Sequence, residues 1–197
     1  MEVTNGSTEE KIISASFHII IKEGISKATT KKIAETAGVS EITLFRKFKN
    51  KKQLIKTVKE YYGNMLITRL EEIFEFRPEM SIEEYFNHCI NGINNLNRNE
   101  TDIIKIWLGE LNSIENRKNL TLEGINLIIN KIKDFISLKL KQNKIRKVNL
   151  DILALNMFSI ILEYSLLWKI LNPNTQYQSN KYTEDFLDIL INGIKSD

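Results

Sequence analysis

The stretch from Thr29 to Phe48, TTKKIAETAGVSEITLFRKF, constrains this chain more than any other part of it. Ile33 and Ala34 fall on the inner face of a first short helix over Thr30–Ala37. The Thr29 hydroxyl is placed to cap that helix. Gly38 follows where the chain must turn out of it, a position that favours left-handed backbone. Val39 fills the gap before a second helix, which Ser40 caps and which runs to about Lys47. Leu44 and Phe48 lie four apart, share one face and point at a core. Glu41, Ile42, Thr43, Phe45, Arg46 and Lys47 are left facing outward or sideways. Two short helices joined this way, the second anchored inside and projecting at its leading end, form a helix-turn-helix.

Charge follows the same division. Between Arg46 and Lys59 there are seven basic residues and no acid. Residues 1–60 carry a net charge of +5 and residues 61–197 a net charge of −2. A basic end beside a helix-turn-helix suits a phosphate backbone, whose counterions are released on contact. Double-stranded DNA is therefore the expected partner, with the second helix in the major groove.

The remaining sequence is expected to be all-α. Only two prolines occur, Pro78 and Pro173, and no string of short alternating segments suggests a sheet. Apolar residues make up 42% of the chain and charged residues 27%, as in ordinary globular proteins. The single cysteine, Cys89, excludes an intrachain disulfide and fits a reducing, cytoplasmic setting. The opening MEVTNGSTEEK does not read as a signal peptide. No apolar run is long enough for a membrane span.

About nine helices are expected. Ser7–Glu10 reads as a capping box opening the first helix, which ends before Gly24. After the helix-turn-helix, Asn50 and Gln53 open a long helix from Lys51 to about Phe76, where Arg77-Pro78 stops it. Ser81–Glu84 opens a further helix to about Leu96. Asn97–Asn99 reads as a loop, followed by a helix over about Thr101–Ile114. Three more helices cover about Leu120–Gln142, Leu150–Leu171 and Thr183–Ile194. Residues 6–66 are expected to form the DNA-binding domain, with the motif at 29–48. Residues 67–197 then form a larger helical domain.

The segment Ala28–Val58, ATTKKIAETAGVSEITLFRKFKNKKQLIKTV, resembles the TetR family of bacterial transcriptional regulators. Ile33-Ala34, Ala37-Gly38-Val39-Ser40, Thr43-Leu44, Phe48 and Lys51–Leu54 all fall in the family pattern without a gap. The rest matches only in length and helical organisation. The resemblance implies that Thr29, Thr30 and Lys31 touch phosphate or a base edge. It implies that Ser40, Glu41, Ile42 and Thr43 enter the major groove, and that Lys51 grips phosphate at a helix N-terminus. Chemically, Ile42 suits a thymine methyl, and Glu41 suits either cytosine or solvent. Phe45 stands where the family usually has Tyr, so a phenolic phosphate contact is lost. Lys47 stands where an aromatic residue or His is common, and offers a charged backbone contact instead.

The C-terminal half carries two further expectations. The last two helices are broadly apolar, and wide apolar faces ask for a partner. The resemblance implies a homodimer through them, here assigned to Met157, Ile161, Tyr164, Trp168, Leu187 and Ile191; burial inside one chain is the alternative. Two heads about one helical turn apart would read a near-palindromic operator. The resemblance also implies a pocket for a small, hydrophobic effector, here assigned to Phe74, Tyr85, Phe86, Cys89, Trp107 and Phe135. Ordinary core is the alternative for these residues. Ligand binding there would shift a two-state equilibrium and release a repressor from DNA. No metal, cofactor or catalytic residue is expected. Only two histidines and one cysteine are present, and no GxGxxG, P-loop, GxSxG or HExxH motif occurs. An architectural DNA-binding protein without an effector would have the same head.

Overall fold

The computed structural model describes residues 6–110 and 120–163, together with 184, 185, 187–190 and 192. Every regular element among the described residues is an α-helix. They are α1 (Thr8–Glu23), α2 (Thr30–Ala37), α3 (Glu41–Phe48), α4 (Lys51–Ile73), α5 (Ile82–Asn94), α6 (Arg98–Glu110), α7 (Leu120–Lys141) and α8 (Leu150–Glu163). Further helical turns occupy 184–185 and 187–190. The chain divides into two compact units, Met1–Leu66 and Ile67–Asp197.

The helix starts follow from capping chemistry. The Ser7 hydroxyl accepts from the Glu10 N–H, while the Glu10 carboxylate accepts from the Ser7 N–H. Ser81 and Glu84 repeat this reciprocal arrangement at α5. Asn50 accepts from the Gln53 N–H at 2.8 Å to open α4. Each such cap satisfies backbone donors that the helix cannot and contributes about 1 kcal/mol.

Two boundaries differ from expectation. α6 begins at Arg98, because Asn97 and Glu100 form a third reciprocal cap, at 2.6 and 3.1 Å. The polar run that reads as a loop is thus a helix start. α4 ends at Ile73. The Phe74 N–H still bonds the Leu70 carbonyl, but the Glu75 N–H reaches back only three residues to Glu72. Phe76 then turns to pack edge-on against Tyr85 and Phe135, at 6.0 and 5.4 Å between ring centres.

The first unit packs α1, α2, α3 and the start of α4 around Ile12, Ile33, Leu44, Phe48, Leu54 and Val58, each at most 3% exposed. Phe17 of α1 stacks on Tyr62 of α4 at 3.8 Å. The second unit is centred on Phe74, Tyr85, Phe86, Ile132 and Phe135, all fully buried. α7 packs along α8. The Tyr85 hydroxyl donates to the Phe74 carbonyl at 3.1 Å, fixing the end of α4 to α5.

α5 also approaches Ile73 closely at Gly92. A β-carbon there would stand 2.6 Å from Ile73 Cγ2 and 2.9 Å from Cγ1. Ile73 is buried and β-branched, so it has little freedom to yield. Gly92→Ala is therefore expected to destabilise the protein by about 1–3 kcal/mol. Urea unfolding checks this: the midpoint should fall with the slope unchanged.

Candidate nucleic-acid interface

The helix-turn-helix is built as its sequence dictates. Thr29 Oγ1 accepts from the Lys32 N–H at 3.3 Å and starts α2. Gly38 ends it with φ 68° and ψ 35°, its N–H directed to the Ala34 and Glu35 carbonyls. That left-handed geometry is costly for a residue with a β-carbon. The Val39 N–H also bonds the Ala34 carbonyl, at 3.0 Å. Ser40 Oγ then accepts from the Thr43 N–H at 3.1 Å, and the two hydroxyls lie 2.9 Å apart.

α3 is divided lengthwise. Leu44 and Phe48 are buried against the first unit's core, while Ile42 is 81% exposed. Glu41 and Thr43 are half-buried, and Ser40, Phe45, Arg46 and Lys47 are exposed. At the front of α2, Thr29 and Lys31 are exposed and Thr30 is half-buried. The structure therefore brings one surface together from the first turns of α2 and the outer face of α3. An isoleucine held that far into water gains little from folding and is free to meet another surface.

The cations are not equivalent. Lys47 pairs with Glu9 at 3.6 Å, and Lys32 is held by both oxygens of Glu23. That contact holds the Glu23 carboxyl below its ordinary value. Lys56 pairs with Glu60 along α4. The Lys51 ammonium leans on the Ser26 carbonyl at 3.4 Å, so it braces the α1–α2 connection as well as standing at the start of α4. Lys31, Arg46, Lys49 and Lys52 are exposed. The turn between α3 and α4 has Lys49 at φ 59° and ψ −47°, uncommon for a residue with a side chain. The Asn50 N–H closes it on the Phe48 carbonyl at 2.6 Å. Sequence pattern alone gives no signal for the Glu9, Glu23 and Ser26 contacts, because they join residues distant along the chain.

The residues assigned to an effector pocket meet as a packed cluster. Phe74, Tyr85, Phe86, Cys89 and Phe135 are fully buried, and Tyr85 stacks on Phe135 at 4.0 Å. Burial pushes the Cys89 thiol up to about 12, so it stays protonated and a poor nucleophile at neutral pH. The Trp107 side chain lies outside the described residues.

Met157, Ile161 and Leu187 are buried inside this single chain, whereas Ile152, Leu155 and Ile189 are 60%, 52% and 72% exposed. The broad apolar stripe of the sequence did not say which part of it faces the protomer's own core. Tyr164, Trp168 and Ile191 lie outside the described residues.

Residues 12–58 match the family described as bacterial regulatory proteins, tetR family. Those residues form a TetR-type helix-turn-helix segment. The chain is 38% identical over 65 residues to YvkB, an HTH-type transcriptional regulator of Bacillus subtilis (strain 168). That alignment spans 33% of this chain and only 34% of YvkB. The nucleoid occlusion factor SlmA of Vibrio vulnificus (strain YJ016) is 25% identical over 94% of this chain and 95% of its own length. Among solved structures, SmeT, the repressor of the Stenotrophomonas maltophilia multidrug efflux pump SmeDEF, has the same fold. Its TM-score is 0.69 at 16% identity, covering all of this chain and 94% of SmeT.

The local geometry separates two kinds of residue on α3. Ser40→Ala should cost about 1 kcal/mol of stability, since it removes the helix cap. Ile42→Ala should stay within about 0.5 kcal/mol, since that side chain is solvated. Thermal melts of the two variants check the contrast.

Proposed function

We propose that this protein is a sequence-specific DNA-binding transcriptional regulator that acts as a two-fold dimer. The observation that carries the proposal is α3 itself: Leu44 and Phe48 hold it from within, and Ile42 stands 81% exposed at its leading end. In this reading Ser40, Glu41, Ile42 and Thr43 face base edges. Thr29, Thr30, Lys31, Lys47 and Lys51 contact the sugar-phosphate strands, and Phe45 packs on a sugar without a phosphate bond. Sequence likeness over the head, together with the full-length fold, supports the assignment.

We further propose that the second copy packs on the face of α8 carrying Ile152 and Leu155, with Ile189 beside it. These are large exposed apolar residues in a segment where the family reading places the partner. Repression is the mode favoured, with a small effector acting on the second unit. The physical link is the Tyr85–Phe74 bond: whatever repacks the Tyr85–Phe135 stack also shifts the end of α4. A second reading is DNA binding without an effector. It is favoured by the nearly full-length alignment to a nucleoid occlusion factor. Operator affinity that no small molecule alters would select it.

Selection of binding sites from random duplexes, followed by anisotropy titrations, tests the DNA reading. Thr43→Ala and Ile42→Ala should change sequence preference, with about 1–3 kcal/mol of discrimination lost at the affected base. Lys51→Ala should weaken all duplexes alike and lower the salt slope by about one. Equal loss on every duplex from all three variants would defeat the base-reading role of α3.

Sedimentation tests the dimer. Leu155→Lys should shift the protein to monomer and weaken operator binding by at least about tenfold, because two heads no longer bind as one. A dimer unaffected by this change would place the interface elsewhere.

A further inference from the structure

Lys139, near the end of α7, is a charged residue only 4% exposed. Its ammonium donates to the Pro78 carbonyl at 2.8 Å and to Gln142 Oε1 at 3.1 Å. It also stands 5.2 Å from the centre of the Phe135 ring. All three partners are neutral. Among the described residues no carboxylate pairs with it, and Glu79 and Glu84 act on it only from a distance. Burial, and then the like charge of Lys144, hold its pKa below the usual lysine value. A covered cation is ordinarily matched by a counter-ion, and among the described residues this one has none.

The gap lies at an opening. Lys139, Gln142 and Lys144 give an open cleft of about 690 Å³ its polar wall, and Pro78, Met80 and Ile82 also line it. That volume falls in the range of small-molecule sites. Gln142 is itself fixed, its Nε2 donating to the Pro78 carbonyl at 3.3 Å, so the polar wall is preorganised. Glu79 and Glu83 also line the cleft. Their charge opposes a multiply charged anion such as a phosphate monoester, but leaves room for a single negative charge beside the two lysines.

We propose that this cleft binds a small monocarboxylate with an apolar body, the carboxylate supplying the counter-ion to Lys139 and Lys144 and the hydrocarbon lying on Met80 and Ile82. The binding claim is independent of DNA. That such a molecule is the effector rests on the regulator reading above. A carboxylate drawing Lys139 away from the Pro78 carbonyl would loosen the connection between α4 and α5, which is the route to the reading head.

Calorimetric titration of the full chain with decanoate, 1-decanol and decyl phosphate tests the site. Decanoate should bind at least about tenfold more tightly than either, the difference a charge-assisted contact provides. Lys139→Met should lose that advantage, and the exposed Lys144→Ala should lose part of it. If Lys139→Met does not fold, Lys144→Ala decides. Equal affinity for decanol, wild-type affinity in Lys144→Ala together with any folded Lys139→Met, or no decanoate binding overturns the proposal. Operator titration with and without decanoate separates the two claims. Lysine-dependent binding that leaves DNA affinity unchanged removes the effector role and keeps the site. Absence of any DNA binding by the unliganded protein defeats the regulator reading instead.

Discussion

The burial of Leu44 and Phe48 is the constraint on which the reading surface depends. The two side chains lie one helical turn apart and are almost wholly removed from water, worth about 1.5–3 kcal/mol each. α3 has only eight residues, too few to be stable alone in water. Its order is therefore borrowed from the core it sits on. That same attachment fixes which side chains point away, so Ile42 and Thr43 are positioned by residues they do not touch. The caps at Thr29 and Ser40 and the left-handed Gly38 set the angle at which α3 follows α2.

Much of this was legible in the sequence because the signals are local. A hydroxyl followed three residues later by a backbone donor, a glycine at a helix exit and two apolar residues four apart are all read within one turn of chain. The limits of α2 and the caps at Ser7 and Ser81 follow directly. Asn97–Glu100 carried the same capping grammar, but written in amide and carboxylate groups within a polar run, and so read as a loop. The basic, outward-facing surface of the head was legible from charge and pattern together. The partners of its cations were not. Whether Lys47 is free or meets Glu9 depends on the packing of α1 against α3, which no local rule contains.

The second unit marks the limit of pattern reading more clearly. Phe74, Tyr85, Phe86 and Phe135 are all fully buried, and Tyr85 meets both Phe74 and Phe135. What their grouping meant was undetermined, because a cavity lining and a solid core use the same residue types. Here the rings touch one another, and a tyrosine hydroxyl reaches a backbone carbonyl, which stiffens the junction at the end of α4. Gly92 adds to this rigidity by admitting the Ile73 side chain where any β-carbon would exclude it. On α8, periodicity gave the stripe but not its orientation. Only the packing of α7 decides that Met157 is inside and Leu155 outside.

The contact between Lys47 and Glu9 has a consequence for selectivity among anions. A lysine already leaning on a carboxylate, both about half-exposed, is not an idle charge awaiting any negative surface. An exposed pair of this kind is worth only about 0–1 kcal/mol and is screened by salt, so Glu9 is a mild competitor for Lys47 that any stronger anion can replace.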